Sequence, residues 1–344
     1  KGGFTTLAPG YTGPTLGEIN ASWHPRIPRY DKYESEQTRL GLTGSLQIAP
    51  SDATSINIDA LFSKLDGNRT EMFLQAPVFS AASTQAIGDV DVREAALRTG
   101  EQGATALVYG LFDDVDIRSE QRFDNLTTTF QQFTIDGEHD FGNGLRLTAL
   151  AGSSNSDFEN PKQTTLLFDA QNIDGYVFDY RGNDRLPLIS YGSTDVTSPA
   201  TWKLSQIRLR PQSTENSFQT LQADLAYEFN PSLTLKGGLQ YKTYEFDTWE
   251  KRRTNGTTSN IEATIPSSAA GTPLANYSQI VRLTGLDAPS GTTLRWLVPN
   301  VKRAGDVLGL YQRGLYPTSI EGSGALGNNQ QVSEDDTGAY LQLD

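Results

Sequence analysis

RLGLTGSLQIAPSDATSINIDALFSK, residues 39–64, alternates apolar and polar side chains on both sides of a short polar break. The first arm places Leu40, Leu42, Gly44, Leu46 and Ile48 on one side, with Arg39, Gly41, Thr43, Ser45 and Gln47 on the other. A period of two marks a strand with one apolar face, because successive side chains point to opposite sides of the pleat. After Ala49-Pro50-Ser51-Asp52-Ala53, the second arm sets Ile56, Ile58, Ala60 and Phe62 against Asn57, Asp59, Leu61 and Ser63. Two such arms predict an antiparallel hairpin. Its apolar face fits a protein core or lipid equally well.

The pattern recurs twice. Residues 129–153 place Phe133, Ile135 and Gly137 before a turn at Phe141-Gly142-Asn143-Gly144, and Leu145, Leu147, Ala149 and Ala151 after it. Residues 220–243 run Leu221, Ala223, Leu225, Tyr227 and Phe229 into Asn230-Pro231-Ser232, then Leu233, Leu235, Gly237, Leu239 and Tyr241 out. Ala339, Leu341 and Leu343 begin a seventh strand. Leu61, Leu150 and Ala226 are exceptions on the polar face, and His139 is one on the apolar face.

The resulting division is an outer loop at 1–36, hairpins at 37–64, 128–156 and 218–246, long loops at 65–127, 157–217 and 247–336, and a strand start at 337–344. Arms of about nine to eleven residues suit a tilted membrane-crossing strand better than a soluble one, which has five or six. Short turns at one end and connections of roughly sixty, sixty and ninety residues at the other match the two rims of an outer-membrane barrel. Phe141, Tyr227 and Phe229 near the short turns, and Phe62 and Tyr241 near the long loops, fit aromatic girdles. The fold class expected is all-β, an antiparallel transmembrane β-barrel segment of about seven strands. Leu42, Ile58, Ile135, Leu147, Leu225 and Leu235 are the side chains expected to face lipid.

Composition narrows the function. The 344 residues carry a formal charge of −13, which disfavours a nucleic-acid partner, since phosphate binding needs a surplus of Lys and Arg on one face. With no Cys and only His24 and His139, thiolate and zinc chemistry find no ligand set. No run approaches the roughly 18 apolar residues of a membrane helix, and a mean hydropathy of −0.45 fits a barrel whose strands alternate and an ordinary soluble protein alike. Any two of the 41 acids could converge for glycoside hydrolysis, but no motif selects a pair, so the expectation is not an enzyme and no cofactor. The Gly runs, GGLQYKT among them, lack a strand-to-helix phosphate loop.

Four stretches, EINASWHPRIPRYDKYESEQTRLGLTGSLQIAPSD, DDVDIRSEQRFDNLTTTFQQFTIDGEHDF, NIDGYVFDYRGND and LTLKGGLQYKTYEF, together with the hairpin order, resemble the early barrel half of a TonB-dependent outer-membrane receptor of the large Gram-negative type. That resemblance implies a 22-stranded barrel, a plug in its lumen and a TonB box, of which this chain would be an internal segment lacking plug and box. It implies active uptake of a scarce nutrient, an iron chelate, cobalamin or oligosaccharide, across the bacterial outer membrane. The implied partners are membrane lipid and lipopolysaccharide, the chain's own plug, and TonB with ExbB and ExbD. The rival classes are a soluble or surface β-rich glycan-binding module, whose apolar faces pair with each other, and a passive pore without a plug.

Candidate contacts follow from position. Arg39, Asn57, Asp59, Asp136, Glu138, Arg146, Asp224, Lys236 and Lys242 fall on the polar face, where they would line a lumen and meet a plug or substrate, or simply be solvated. WHPRIPRY, residues 23–30, joins Trp23, His24, Arg26, Arg29 and Tyr30 to two prolines. It suits a sugar ring or an anionic chelate, or a rigid loop packed on its neighbours. Trp202, Arg208, Arg210, Trp249 and Trp296 carry the same alternatives. Asp113, Asp114 and Asp116, and Glu334, Asp335 and Asp336, offer hard oxygens for Ca²⁺ but lack the calcium-loop pattern, so no metal is expected.

Overall fold

The computed structural model describes residues 3–77, 90–183, 185–256 and 258–344, so residues 78–89 of the expected 65–127 connection lie outside the described residues, as do 1–2, 184 and 257. In chain order the strands are β1 (Thr6–Leu7), β2 (Arg29–Ser51), β3 (Thr54–Gln75), β4 (Asp91–Thr99), β5 (Thr105–Asp113), β6 (Val115–Asp140), β7 (Leu145–Asn160), β8 (Thr164–Ile173) and β9 (Tyr176–Asp179). There follow β10 (Leu188–Tyr191), β11 (Lys203–Leu209), β12 (Gln212–Asn230), β13 (Leu233–Glu250), β14 (Arg252–Arg253), β15 (Ser278–Arg282), β16 (Arg295–Pro299), β17 (Thr318–Ser319) and β18 (Gln330–Leu343). The chain is all-β and its sheets are antiparallel apart from the short β1–β4 pair.

Seven long strands, β2, β3, β6, β7, β12, β13 and β18, are antiparallel neighbours in chain order and make a wall. Its two ends, β2 and β18, do not pair with each other among the described residues. One cross-strand row runs Thr54, His139, Leu147, Leu225, Gly237, Leu341. Below that row β3 starts at once at Thr54, whereas β7 starts two residues earlier, at Leu145, and β13 four earlier, at Leu233. Each hairpin therefore reaches two residues farther than the one before. The turns follow their sequences: Gly142 and Gly144 take φ of 74° and 81°, and a Cβ on Gly144 would lie 2.6 Å from the Glu228 carbonyl oxygen. Asn230 Oδ1 accepts the Ser232 N–H at 3.0 Å in an Asx turn.

The strands run well beyond the expected hairpin limits. β3 continues past residue 64 to Gln75, β6 begins at Val115 rather than near 128, and β2, β7, β12, β13 and β18 are longer in the same direction. The backbone ladder persists where the side chains stop alternating apolar with polar. The remaining eleven strands lie within the stretches expected to be loops, and they build a folded head.

The head begins where the wall forks. β6 pairs with β7 over Thr127–Asp140, but over Val115–Phe123 the same edge pairs with β8, which pairs in turn with β11. A second sheet, in the order β1, β4, β5, β9, β10, packs Val92, Phe112, Tyr176 and Phe178 into a core, with Phe4 stacked on Phe112 at 5.5 Å. Strand β16 and the helix Val301–Val307 lie across β3, β6 and β8. There Ser119 Oγ donates to the Leu297 carbonyl at 2.6 Å, and Gln121 Oε1 accepts the Val301 N–H at 2.6 Å.

Ser119 and Gln121 share a face of β6 with Phe133 and Ile135, because the β3–β6 register is unbroken. One face of the wall thus has two environments. Its upper half, away from the short turns, is covered by the head on β3 and β6, with Met72 and Leu74 at 2% and 1% exposure. Its lower half is bare: Leu42 is 59% exposed, Leu225 50% and Leu341 78%. His139, on this face, bonds Thr54 Oγ1 through Nδ1 at 2.8 Å and meets the edge of Phe141.

Candidate functional site on the polar face

The nine polar-face candidates all occupy the face opposite the bare apolar rows, spread over six strands of the wall. Most are tied to neighbours across the strands. Asn57 Nδ2 donates to Asp136 Oδ2 at 2.9 Å, Arg146 lies 3.7 Å from Glu138, and Lys236 Nζ lies 2.6 Å from Asp344. Gln240 donates to Gln222, which donates to Asp224, and the Tyr340 hydroxyl donates to Asp224 as well. Arg39 Nη2 donates to Gln37 at 3.2 Å.

The residues of WHPRIPRY do not converge. Trp23 joins the edge of β5 through its backbone, its N–H to the Thr105 carbonyl and its carbonyl to the Leu107 N–H, both 2.8 Å, and its indole is exposed. His24 packs on Phe4 with ring centroids 5.7 Å apart, and burial pushes its imidazole pKa down despite its contact with the Pro25 carbonyl. Arg29 lies over the Phe73 ring, and the buried Tyr30 donates to the Pro187 carbonyl at 2.6 Å. Arg26 is exposed. Trp202 and Trp296 are core residues, Trp202 Nε1 donating to the Val196 carbonyl. Arg210 is held bidentately by Glu262 at 2.7 and 2.8 Å, and Lys251 lies over Trp249.

The acidic runs are divided by their own geometry. Glu334 and Asp336 point to the polar face of β18 and Asp335 to the other, where it accepts the Tyr241 hydroxyl at 3.0 Å. Asp113 accepts the Gly175 N–H at 2.8 Å and Asp116 the Asn172 N–H at 3.2 Å, so both serve as staples for a loop.

At the fork the structure assembles a charged cluster that sequence reasoning missed. Arg118, Glu120, Arg122 and Asp124 alternate on the polar face of β6, and Arg29 and Arg208 from the expected loop residues join them. The Asp124 side chain is fully buried. Its Oδ2 accepts from Arg69 and Arg122, each Nε at 2.9 Å, and its Oδ1 accepts Asn160 Nδ2 at 2.8 Å. Burial works to raise its pKa, but these hydrogen bonds and charges outweigh it and hold the carboxyl below the usual range. Arg118 grips Asp169 bidentately at 2.7 and 2.9 Å. Glu120 has the opposite balance: burial raises its pKa and outweighs the nearby Arg208, Arg118 and Arg29, of which Arg118 is already held by Asp169. Its contact to Gln75 Nε2 is a long 3.4 Å. The signal was available as IRSEQRFD, residues 117–124, with charges at every second position.

No known family model, curated protein or solved structure matches this chain.

Proposed function

We propose that the chain is barrel wall and outer loops of a TonB-energised importer of the bacterial outer membrane. The observation that carries this reading is the stagger of the seven-stranded meander. Two residues per hairpin is one residue per strand, and a rise near 3.3 Å set against a strand spacing near 4.8 Å tilts the strands by about 35° from the normal to their turn-bearing rim. Outer-membrane barrels tilt by about 35–45°. The bare apolar rows beside the short turns would meet lipid, the polar face would line a lumen and meet a plug, and the head would stand outside the membrane. The cargo class is an iron chelate, cobalamin or oligosaccharide, and TonB with ExbB and ExbD would supply energy from the inner membrane.

A soluble glycan-binding module is the second reading, favoured by the packing of β16 and the helix Val301–Val307 on the upper half of the same face, since a further layer could cover the rest. Fractionation of cells producing the full-length protein, with uptake of radiolabelled ferric citrate, cobalamin and maltohexaose in the presence and absence of TonB, separates the two. Recovery in the outer membrane and loss of uptake without TonB is the expected result. Recovery in a soluble fraction, or uptake indifferent to TonB, overturns the proposal.

A further inference from the structure

The polar face carries a patch of rings that barrel-wall duty does not require. Phe130 on β6, Phe218 on β12, and Tyr244 and Phe246 on β13 occupy two adjacent cross-strand rows. One row runs Phe130, Ser156, Asn216, Phe246, Val332, and the other Gln132, Ser154, Phe218, Tyr244, Glu334. Strand parity sets these rings opposite the bare apolar rows, so they are no part of a girdle that faces lipid headgroups. The Phe218 and Tyr244 rings lie 4.8 Å apart at 37°. With Val332 the rings floor an open hollow of about 340 Å³, within the small-molecule range of about 300–1,000 Å³.

The surroundings of the rings select the ligand. Ser154, Ser156 and Glu334 line the hollow together with Asn216, and among the described residues none of these side chains makes a hydrogen bond within the chain. Lower on the same face, by contrast, Asn57, Asp136, Gln222, Asp224 and Lys236 are paired with one another or with neighbours. Among the described residues no Lys or Arg lines the hollow, and Lys242, one row below, faces Asp336 across the strands. An anionic chelate would meet the Glu334 carboxylate with no cation in the hollow to offset it. A neutral polyol would find apolar ring faces for its C–H surface, and hydroxyl, amide and carboxylate groups for its hydroxyls.

We propose that this hollow binds a pyranose ring of a neutral oligosaccharide, stacked on Phe218 and Tyr244 and hydrogen-bonded by Asn216 and Glu334. The inference rests on the importer reading and names its substrate class. Calorimetric titration of the full-length protein in detergent, with maltohexaose, cellohexaose and xylohexaose as neutral probes and ferric citrate as an anionic one, tests it. One neutral hexasaccharide is expected to bind, with affinity reduced by about tenfold or more in Phe218→Ala and in Asn216→Ala and retained in Phe218→Trp. Binding of no neutral probe, affinity unchanged in both alanine variants, or ferric citrate binding that Phe218→Ala abolishes would overturn it. Were the patch a seat for a plug segment, Phe218→Ala would lower the unfolding midpoint and leave sugar affinity intact, which also overturns it. The two proposals fail separately. An outer-membrane protein importing ferric citrate by way of TonB loses the sugar site alone, and a soluble protein binding a hexasaccharide through Phe218 loses the importer alone.

Discussion

Asp124 and Glu120 lie four positions apart on one strand, share a face, and have pKa values shifted in opposite directions, and the difference lies in which of them is hydrogen-bonded by arginine. Asp124 holds Arg69, Arg122 and Asn160 at the fork, where β6 changes partner from β7 to β8. Asp124→Ala would strand two guanidinium groups, and because Arg69 and Arg122 keep 28% and 32% of their side-chain surface exposed, the cost should sit near the low end for a broken buried pair, about 3 kcal/mol. The buried indoles of Trp202 and Trp296 report head unfolding by fluorescence. The carboxyl's pKa is depressed in the fold, so its stabilisation is present above the unfolded value near 3.9 and is lost as pH falls through the lower folded value. An acid titration of the alanine variant should therefore lack that component. Glu120 has a raised folded pKa, so ionising it costs stability once pH exceeds the unfolded value near 4.3. Glu120→Gln should raise the unfolding midpoint at neutral pH, with the gain vanishing in acid. An unchanged or lower midpoint at neutral pH would show that the nearby arginines need that charge.

At the scale of the element, a strand interior can depend on one missing Cβ. A side chain at Gly238 would occupy the space taken by the Tyr340 ring and the Asp224 carboxylate, which meet above it from the two neighbouring strands. Gly238→Val should cost about 1–3 kcal/mol by overpacking and separate Tyr340 from Asp224. Tyr340→Phe, which removes the solvent-exposed hydrogen bond alone, should cost less. Equal costs in urea titration would mean that the glycine is only tolerated. The same scale explains what could be read from sequence. The lower hairpins were legible because Leu221 to Phe229 and Leu233 to Tyr241 keep period two with one bare apolar face. β4 was not, since a bulge at Arg93 shifts its alternation, and a second at Val108 shifts that of its partner β5. β8 was not, because Leu166, Leu167 and Phe168 are buried on both faces and give a continuous apolar run. The polar-face residues were placed on a common face from periodicity, whereas the charged cluster at the fork depends on β8 pairing with β6, which no local pattern encodes.

For the whole molecule, the question is what covers the lower apolar rows. The head covers the upper part of that face on β3 and β6 with its own Trp296, Leu297 and Val301, so its core is already used there. The lower rows, Leu145–Tyr227–Leu235–Leu343 and Leu46–Ile58–Ile135–Ala151–Leu221, cross the wall without a partner among the described residues. On the importer reading they contact lipid, and Leu225→Arg should cost about 2–4 kcal/mol near the bilayer midplane, against little for Arg at Thr220 on the lumen face. Spin labels decide between lipid and a covering protein layer. Labels at Leu42, Ile58 and Leu225 in the full-length protein in vesicles should relax with oxygen and be shielded from a polar nickel chelate, while a label at Met72, beneath the head on the same face, should be shielded from both. If the lower labels behave like the one at Met72, the rows are packed on protein, and the stagger of the strands belongs to a closed soluble layer rather than to a membrane wall.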